Sequence, residues 1–203
     1  MNKVITIGRE FGSGGRELGK RLSELLGIAY YDKEIMEEIA KRTKLAENYI
    51  HKVVEQQTGM FFPITTGHTL HSAGNDYMLK QYNAIYTEQA NVLREMAERS
   101  DCVIVGRCGD YILRDHAPIR LFVYADMESK IKRCREKADE HEDLSDRALA
   151  KKIKQIDKSR SKYYRYYTGQ KWGERTNYDL CVNTSNMPIG ELAEALAHLF
   201  QDN

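Results

Sequence analysis

The chain has 203 residues and a formal net charge of +1, with 31 lysines and arginines against 30 aspartates and glutamates. This length is enough for one domain with a sizeable core, and the balanced charge argues against a protein that binds nucleic acids or membrane surfaces over its whole surface. The four cysteines form no CxxC pair, and neither a leader-like start nor a membrane-length apolar run is found, so we expect reduced thiols and a cytoplasmic protein without a membrane segment.

The first predicted element is a strand that leads into a glycine-rich turn. Residues 4–7 are apolar and mostly β-branched, which is typical of a buried strand, and residues 18–26 carry leucines at helical spacing. The turn between them contains four glycines: Gly8, Gly12, Gly14 and Gly15. Its backbone N–H groups and the helix dipole favour a bound phosphate; the alternative is an ordinary strand-to-helix turn. The GxxxxGK[ST] pattern is not met, because Gly15 occupies the lysine position.

The stretch after the first helix is predicted to be mostly helical. Gly27 is placed to end that helix, and residues 28–31 form a short second strand. Asp32 is placed to cap the next helix. Apolar residues at helical spacing then predict helices over residues 46–56 and 76–99.

Residues 58–75 interrupt this pattern with glycine, proline and threonine, which predicts a long loop. The loop contains His68 and His71, and their HxxH spacing would place two imidazoles together on a helix, as a metal site requires. Because neither a helical pattern nor a third ligand accompanies them, we interpret them as polar loop histidines.

A continuous apolar run at residues 102–105, preceded by Asp101, predicts a central parallel strand that is covered on both faces. This strand ends at Gly106 and Arg107. Ligands of open α/β sheets bind beyond the carboxyl ends of the strands, and an arginine there can hold a phosphate through two parallel hydrogen bonds. The alternative is a surface arginine paired with Asp110.

The second half of the chain continues the alternation of strand and helix. Residues 118–124 and 180–182 predict strands, a helix begins at Met127, and residues 189–200 predict an amphipathic helix at the end of the chain. Such alternation predicts an α/β fold with a parallel sheet of about five strands and right-handed crossovers.

Residues 145–175 differ from the rest of the chain in composition. Ten basic residues stand against three acidic ones, which gives a local charge of +7, and four tyrosines and the tryptophan are interleaved with them. Three interpretations are open. The segment is a nucleic-acid surface with stacking aromatic residues, a lid whose arginines close over a polyphosphate, or a solvated helix face with tyrosines packed inward.

The glycine loop, the Gly106-Arg107 strand end and the basic segment around Arg160 occur in an order that resembles the cytidylate kinase-like branch of the P-loop nucleoside monophosphate kinases. The sequence ITIGREFGSGG matches the strand and loop of bacterial cytidylate kinases. Gly106-Arg107-Cys108 stands at their Gly-Arg-Asp motif, and Arg133 and Arg135 match their paired arginines after LFVYADMESKIK.

The resemblance implies an α/β, three-layer P-loop NTPase fold with a five-stranded parallel sheet and helices on both faces. Residues 1–203 would form a single kinase-like domain. Its core would comprise residues 1–43, 100–140 and 177–203, with an acceptor-binding helical insert at about 44–99 and a lid at about 141–176.

The resemblance also implies transfer of a phosphoryl group from ATP, with Mg²⁺, to a small acceptor, in the first place a nucleoside monophosphate. The residues that would bind ATP are Gly12, Ser13, Gly14, Gly15, Arg16, Glu17 and Arg133. The acceptor would be bound by Asp32, Gly106, Arg107 and Cys108. The catalytic residues would be Arg16 and Arg160, and the ligands of Mg²⁺ would be Ser13 and Asp32.

The chain departs from the family pattern at the loop. The lysine is missing, with Arg16 as its candidate replacement, and Arg16 and Glu17 stand where a hydroxyl normally holds Mg²⁺. Cys108 replaces the aspartate of Gly-Arg-Asp, and Asp32-Lys33-Glu34 replaces the family's Asp-Ser-Gly. These changes motivate an alternative hypothesis, a catalytically silent nucleotide-binding regulatory protein; a nucleic-acid-binding protein is the less favoured third.

Overall fold

The computed structural model describes residues 2–56, 73–137 and 144–201. Its centre is a sheet of five parallel strands in the order β2-β3-β1-β4-β5. The strands are β1 (Val4–Arg9), β2 (Ala29–Tyr31), β3 (Cys102–Val105), β4 (Ile119–Tyr124) and β5 (Leu180–Asn183). The prediction of a five-stranded parallel sheet is therefore confirmed, with strand ends within two residues of the expected positions.

Eight α-helices lie within the described residues. They are α1 (Gly15–Leu26), α2 (Lys33–Thr43), α3 (Glu47–His51), α4 (Ala73–Arg99), α5 (Gly109–Ile112), α6 (Met127–Glu136), α7 (Asp146–Thr168) and α8 (Ile189–Gln201). The predicted helix over residues 46–56 continues from α3 as a π-helical segment, Lys52–Gln56. None of the described helices combines the length and the apolar composition needed to cross a membrane.

Only part of the predicted loop over residues 58–75 can be compared with the structure. Residues 58–72, with His68 and His71, lie outside the described part of the chain. Residues 73–75 belong to α4, so the long helix begins before the predicted position 76.

Alternate residues of the central strands divide the core into two layers. Ile5 and Ile7 of β1 pack with α1 and α8 on one face of the sheet. Val4 of β1 and Ile104 of β3 pack with α2, α3 and α4 on the other face. Because parallel strands are covered on both faces, both sets are fully apolar, which confirms helices on both sides of the sheet.

Asp32 occupies the N-cap position of α2, but its side chain does not cap the helix. The carboxylate instead forms an ion pair with Arg16, with Oδ2 at 2.7 Å from Nε. The prediction of a capping role for this side chain is wrong, because the charged guanidinium of α1 competes with the backbone N–H groups for the same carboxylate.

The basic segment forms α7, where Tyr163, Tyr164 and Tyr167 pack inward and Tyr166 is 45% exposed. Tyr163 and Tyr164 are buried, and the ring of Tyr167 stacks on Tyr86 of α4 at 4.0 Å between centroids and 5° between planes. These rings fasten α7 to α4, so they offer no stacking platform for exposed bases.

Candidate active site at the carboxyl ends of the strands

The glycine loop joins β1 to α1 through two residues with left-handed backbone. Gly12 has φ of 75° and Gly14 has φ of 83°, a region that favours glycine. The N–H of Leu18 donates to the carbonyl of Gly14 at 2.9 Å and so begins the hydrogen-bond ladder of α1. In an α-helix the N–H groups before this point have no acceptor within the helix, and they carry the positive end of its dipole. The loop can therefore receive an anion.

Ser13 is held inside the loop. Its hydroxyl donates to the carbonyl of Glu10 at 2.8 Å, and its carbonyl accepts from the hydroxyl of Thr184 at 2.7 Å. Arg133 of α6 also donates to the carbonyl of Thr184. These bonds tie the loop, α6 and the end of β5 into one frame.

Lys130 of α6 is a buried cation that joins the loop to α7. Its Nζ lies 2.5 Å from Oε2 of Glu10 and 3.0 Å from Oδ2 of Asp157. The second oxygen of Asp157 accepts from the backbone N–H of Phe11 at 2.7 Å, and Glu10 accepts from the N–H of Ala125 at 3.3 Å. The position of α7 relative to the loop is thus set by one ammonium group and two carboxylates.

Arg16 forms an ion pair with Asp32 at the start of α2. Its side chain is 57% exposed, whereas that of Asp32 is 4% exposed. The Oδ1 atom of Asp32 is buried and meets no hydrogen-bond partner among the described residues. Arg16 therefore screens one oxygen of a buried carboxylate and leaves the other one available.

The end of β3 has an unusual backbone. Gly106, Arg107 and Cys108 follow one another with φ of 75°, 59° and 53°. Left-handed backbone is strained for residues other than glycine, and such strain often occurs at binding sites. The carbonyl of Arg107 accepts from the buried Gln89 side chain of α4 at 2.9 Å, which helps to hold this turn.

Asp110 follows the turn and is buried beneath α7. The hydroxyl of Tyr164 donates to its Oδ2 at 2.5 Å. Burial raises the pKa of the Asp110 carboxyl above its ordinary value, and the hydrogen bond from Tyr164 opposes that rise. A carboxyl with a raised pKa at a strand end is a candidate for proton exchange with a bound ligand.

Two cavities lie over these strand ends. The larger, of about 480 Å³, is bordered by the predicted residues Gly12, Gly14, Gly15, Arg16, Glu17, Arg133 and Arg160. The smaller, of about 40 Å³, is bordered by Gly106, Arg107, Cys108 and Asp110. Ser13 and Asp32 border neither cavity, within the part of the chain that the structure describes.

Arg9 and Arg160 border both cavities and so mark the boundary between them. A guanidinium nitrogen of Arg160 donates to the carbonyl of Arg9 at 3.3 Å, and the same guanidinium lies 5.7 Å from the ring centroid of Phe11. The last residue of β1 and the middle of α7 therefore place two arginines between the cavities.

Sequence analysis did not identify Arg9, Lys130, Asp157 or Asp110 as site residues. The signal for Arg9 was present, since a Gly-Arg pair ends β1 as well as β3. The Lys130 cluster left no comparable signal, because its members come from distant parts of the chain.

The arrangement fits a bound nucleotide. A glycine loop, the first turn of α1 and several arginines surround a cavity of about 480 Å³. No group of three or more histidine, cysteine or acidic side chains forms a metal cage among the described residues. Mg²⁺ at nucleotide sites is held by one or two carboxylates together with the phosphates, and the available oxygen of Asp32 fits that requirement.

The raised pKa of Asp110 predicts a pH-dependent difference in stability. The folded state binds the proton more tightly than the unfolded chain, so the free energy of unfolding falls as pH rises from the ordinary value of 3.8 through the raised one. Asp110→Asn removes this titration and keeps an oxygen for Tyr164. We expect urea denaturation to show that the variant gains stability relative to wild type between about pH 4 and neutral pH. The exposed Asp115→Asn is the control, and a pH-independent difference would contradict the prediction.

Comparison with solved structures places this architecture among known folds. A protein from Eubacterium ventriosum ATCC 27560, described as uncharacterized, is 27% identical with a TM-score of 0.72, and the match covers 100% of both chains. Shikimate kinase from Acinetobacter baumannii, solved in complex with shikimate, is 18% identical with a TM-score of 0.54, over 100% of this chain and 94% of that chain. Shikimate kinase from Bacteroides thetaiotaomicron is 16% identical with a TM-score of 0.56, over 98% of each chain.

No curated protein matches the sequence. The profile of the cytidylate kinase-like family, in contrast, matches residues 4–186, which is most of the chain. The parallel sheet shared with the two shikimate kinases confirms the three-layer P-loop fold. The chain belongs to the cytidylate kinase-like family and is a kinase-type phosphotransferase.

Proposed function

We propose that the protein transfers the terminal phosphoryl group of ATP to a small acceptor that carries a phosphate, in the first place a nucleoside monophosphate. The observation that supports this most strongly is the pair of cavities separated by Arg9 and Arg160. An in-line transfer needs donor and acceptor on opposite sides of the phosphoryl group and positive charge around its equatorial oxygens. Arg9 and Arg160, which border both cavities, would supply that charge.

The larger cavity is the proposed ATP site. The N–H groups of Gly14, Gly15, Arg16 and Glu17 would hold the phosphates, because they belong to the glycine loop and the first turn of α1. Arg133 borders the same cavity and would lie beside the donor base. When bound, ATP supplies the phosphoryl group and Mg²⁺ offsets its charge; Asp32 would hold the metal, with Ser13 as the second predicted ligand.

The smaller cavity is the proposed acceptor site. Its volume of about 40 Å³ suits a group the size of a phosphate. Arg107 would bind that group, and the turn that carries it, Gly106 to Cys108, would fix its direction. Asp110 lies within reach of the same space and, with its raised pKa, would accept a proton from the acceptor as the new bond forms.

The chain divides accordingly. We propose that residues 1–43, 100–140 and 177–203 form the core, that residues of about 44–99 bind the acceptor, and that residues of about 141–176 form the lid. The lid would exclude water from the phosphoryl group and bring Arg160 to it. A cytoplasmic location is proposed with this function, since ATP is the donor and the four cysteines, all among the described residues, form no disulfide.

The proposal is tested by measuring ATP consumption with Mg²⁺ against a panel of acceptors. The panel contains CMP, dCMP, UMP and AMP, shikimate because a protein of the same fold was solved with it, and other small hydroxyl-bearing metabolites. We expect turnover with one class of acceptor above the rate of ATP hydrolysis alone. Absence of turnover across the whole panel would contradict the kinase proposal.

Replacement of Arg107 by alanine is expected to weaken acceptor binding. Loss of charged hydrogen bonds to a phosphate raises KM for the acceptor by about 10- to 100-fold, while KM for ATP stays close to that of wild type. The measurement is steady-state kinetics with each substrate varied in turn. Arg114→Ala removes an exposed arginine that donates to the carbonyl of Tyr111 and serves as the control. Equal increases in both KM values would contradict an acceptor-side role for Arg107.

A second candidate function is that of a nucleotide-binding regulator without transfer activity. The loop has no lysine, and the charge of Arg16 is already paired with Asp32, which favours this alternative. A rise in melting temperature with ATP, without turnover on any acceptor, would support it. The nucleic-acid hypothesis loses most of its stacking residues on α7, because Tyr163 and Tyr164 are buried and Tyr167 stacks on Tyr86, which leaves only Tyr166 of the four tyrosines exposed.

A further inference from the structure

Arg9 stands where the usual phosphate loop has its first glycine. Counted back from Gly14, the pattern GxxxxGK[ST] places that glycine at position 9 and the lysine at position 15. Relative to the usual pattern, this loop therefore has two substitutions: Arg9 replaces the first glycine, and Gly15 replaces the lysine. Arg9 is 7% exposed, although it is the last residue of a strand.

The two substitutions are linked by packing. A Cβ atom at Gly15 would lie 2.6 Å from Cβ and 3.1 Å from Cγ of Arg9. Neither distance allows an ordinary van der Waals contact, so the stem of Arg9 fills the space that a side chain at position 15 would need. The missing lysine is therefore a direct consequence of the arginine.

A second glycine makes room for the guanidinium. A Cβ atom at Gly106 would overlap Nη1 of Arg9 and lie 2.7 Å from its Cζ. The side chain thus runs from the glycine loop, past Gly15, to the turn that precedes Arg107. This path explains why Arg9 borders both the larger and the smaller cavity.

We propose that Arg9 is the cation of this phosphate loop and binds the phosphoryl group from the strand β1 in place of the missing lysine. The inference rests on the proposed function and names the residue that serves it. A guanidinium presents a planar set of donors that matches two oxygens of a phosphate. At the boundary of the cavities it can contact the group on both its donor and its acceptor side.

Arg16 is the competing residue for this role. Its Nε is bonded to Asp32 at 2.7 Å, and its side chain is 57% exposed where it borders the larger cavity. Arg9 is enclosed by the loop and the β3 turn. Enclosure keeps its charge poorly screened by solvent and therefore effective on a bound phosphate.

The first test replaces Arg9 by methionine, which keeps an unbranched stem and removes the charge. We expect the affinity for pyrophosphate, measured by calorimetry, to fall about 10-fold and kcat for transfer to fall about 100-fold, with the melting temperature retained. Arg16→Met is expected to have the smaller effect on both quantities. Arg165→Met, an exposed position on α7, is the control.

The second test restores the usual loop. Gly15→Lys alone brings a lysine against the Arg9 stem, and Arg9→Gly alone removes the cation, so each is expected to be impaired. The double variant with both changes should bind pyrophosphate about 10-fold more tightly than Arg9→Gly. The lysine then occupies the space left by the Arg9 stem and supplies the missing charge. If the double variant folds but binds pyrophosphate no more tightly than Arg9→Gly, the inference that Arg9 replaces the lysine is overturned.

The outcomes separate this inference from the proposed function. Equal pyrophosphate affinity of wild type and Arg9→Met would overturn the inference, whatever the transfer assay shows. If Arg9→Met binds pyrophosphate more weakly than wild type, and the wild-type protein transfers phosphate to no acceptor, the inference is supported and the kinase proposal is overturned.

Discussion

Replacement of Arg160 by alanine is expected to lower kcat for phosphoryl transfer about 1,000-fold, because an arginine that stabilises the charge on the transferred group contributes about 10³ or more to such reactions. Arg160 borders both cavities and bonds to the carbonyl of Arg9 at 3.3 Å. Its charge would act mainly in the transition state, so KM for ATP should change little. Single-turnover kinetics with saturating ATP and acceptor measure this loss.

Two comparisons show whether the loss arises from the charge of Arg160. Arg165→Ala removes an exposed arginine from the same helix and should retain wild-type kcat. Arg160→Lys keeps a charge but not the planar donors, and an intermediate kcat is expected. A wild-type kcat in Arg160→Ala would show that α7 contributes no group to the transfer.

Replacement of Lys130 by methionine is expected to destabilise the fold by about 3 kcal/mol, the lower end of the range for breaking a buried ion pair. The Lys130 side chain is 6% exposed, and its ammonium contacts Glu10 and Asp157, which are 26% and 16% exposed. Because Glu10 and Asp157 are partly exposed, water can solvate their carboxylates and offset part of the lost ion-pair energy. Urea denaturation measures the free energy, and for a chain of this size we expect a melting temperature lower by about 6–12 °C.

The matched control for this prediction is Lys132→Met, which removes an exposed lysine from the same helix and should leave stability nearly unchanged. Combining Lys130→Met with Glu10→Gln and Asp157→Asn removes the uncompensated carboxylates and should recover part of the loss. Unchanged stability of Lys130→Met would show that the cluster does not hold α7 to the loop.

The fold class and most of the helices and strands follow from patterns in the amino-acid sequence. Strand β3 is a continuous apolar run and β1 begins with a mostly apolar one because both faces of the sheet are covered, and α1 and α8 carry leucines at helical spacing because one face of each is buried. Gly12 and Gly14 indicated a loop with left-handed backbone conformation, since few other residues adopt a positive φ. These signals are local, so a single sequence contains them.

The pairing of charged side chains, in contrast, depends on how distant parts of the chain pack together. Arg16 was the predicted substitute for the loop lysine, yet it pairs with Asp32, which was expected to cap α2. Arg9, near it in sequence, runs instead between two glycines that lie far apart in the chain, Gly15 and Gly106. The direction of a long charged side chain depends on the space and partners that other elements provide, and neither is encoded in the spacing of its neighbours along the chain.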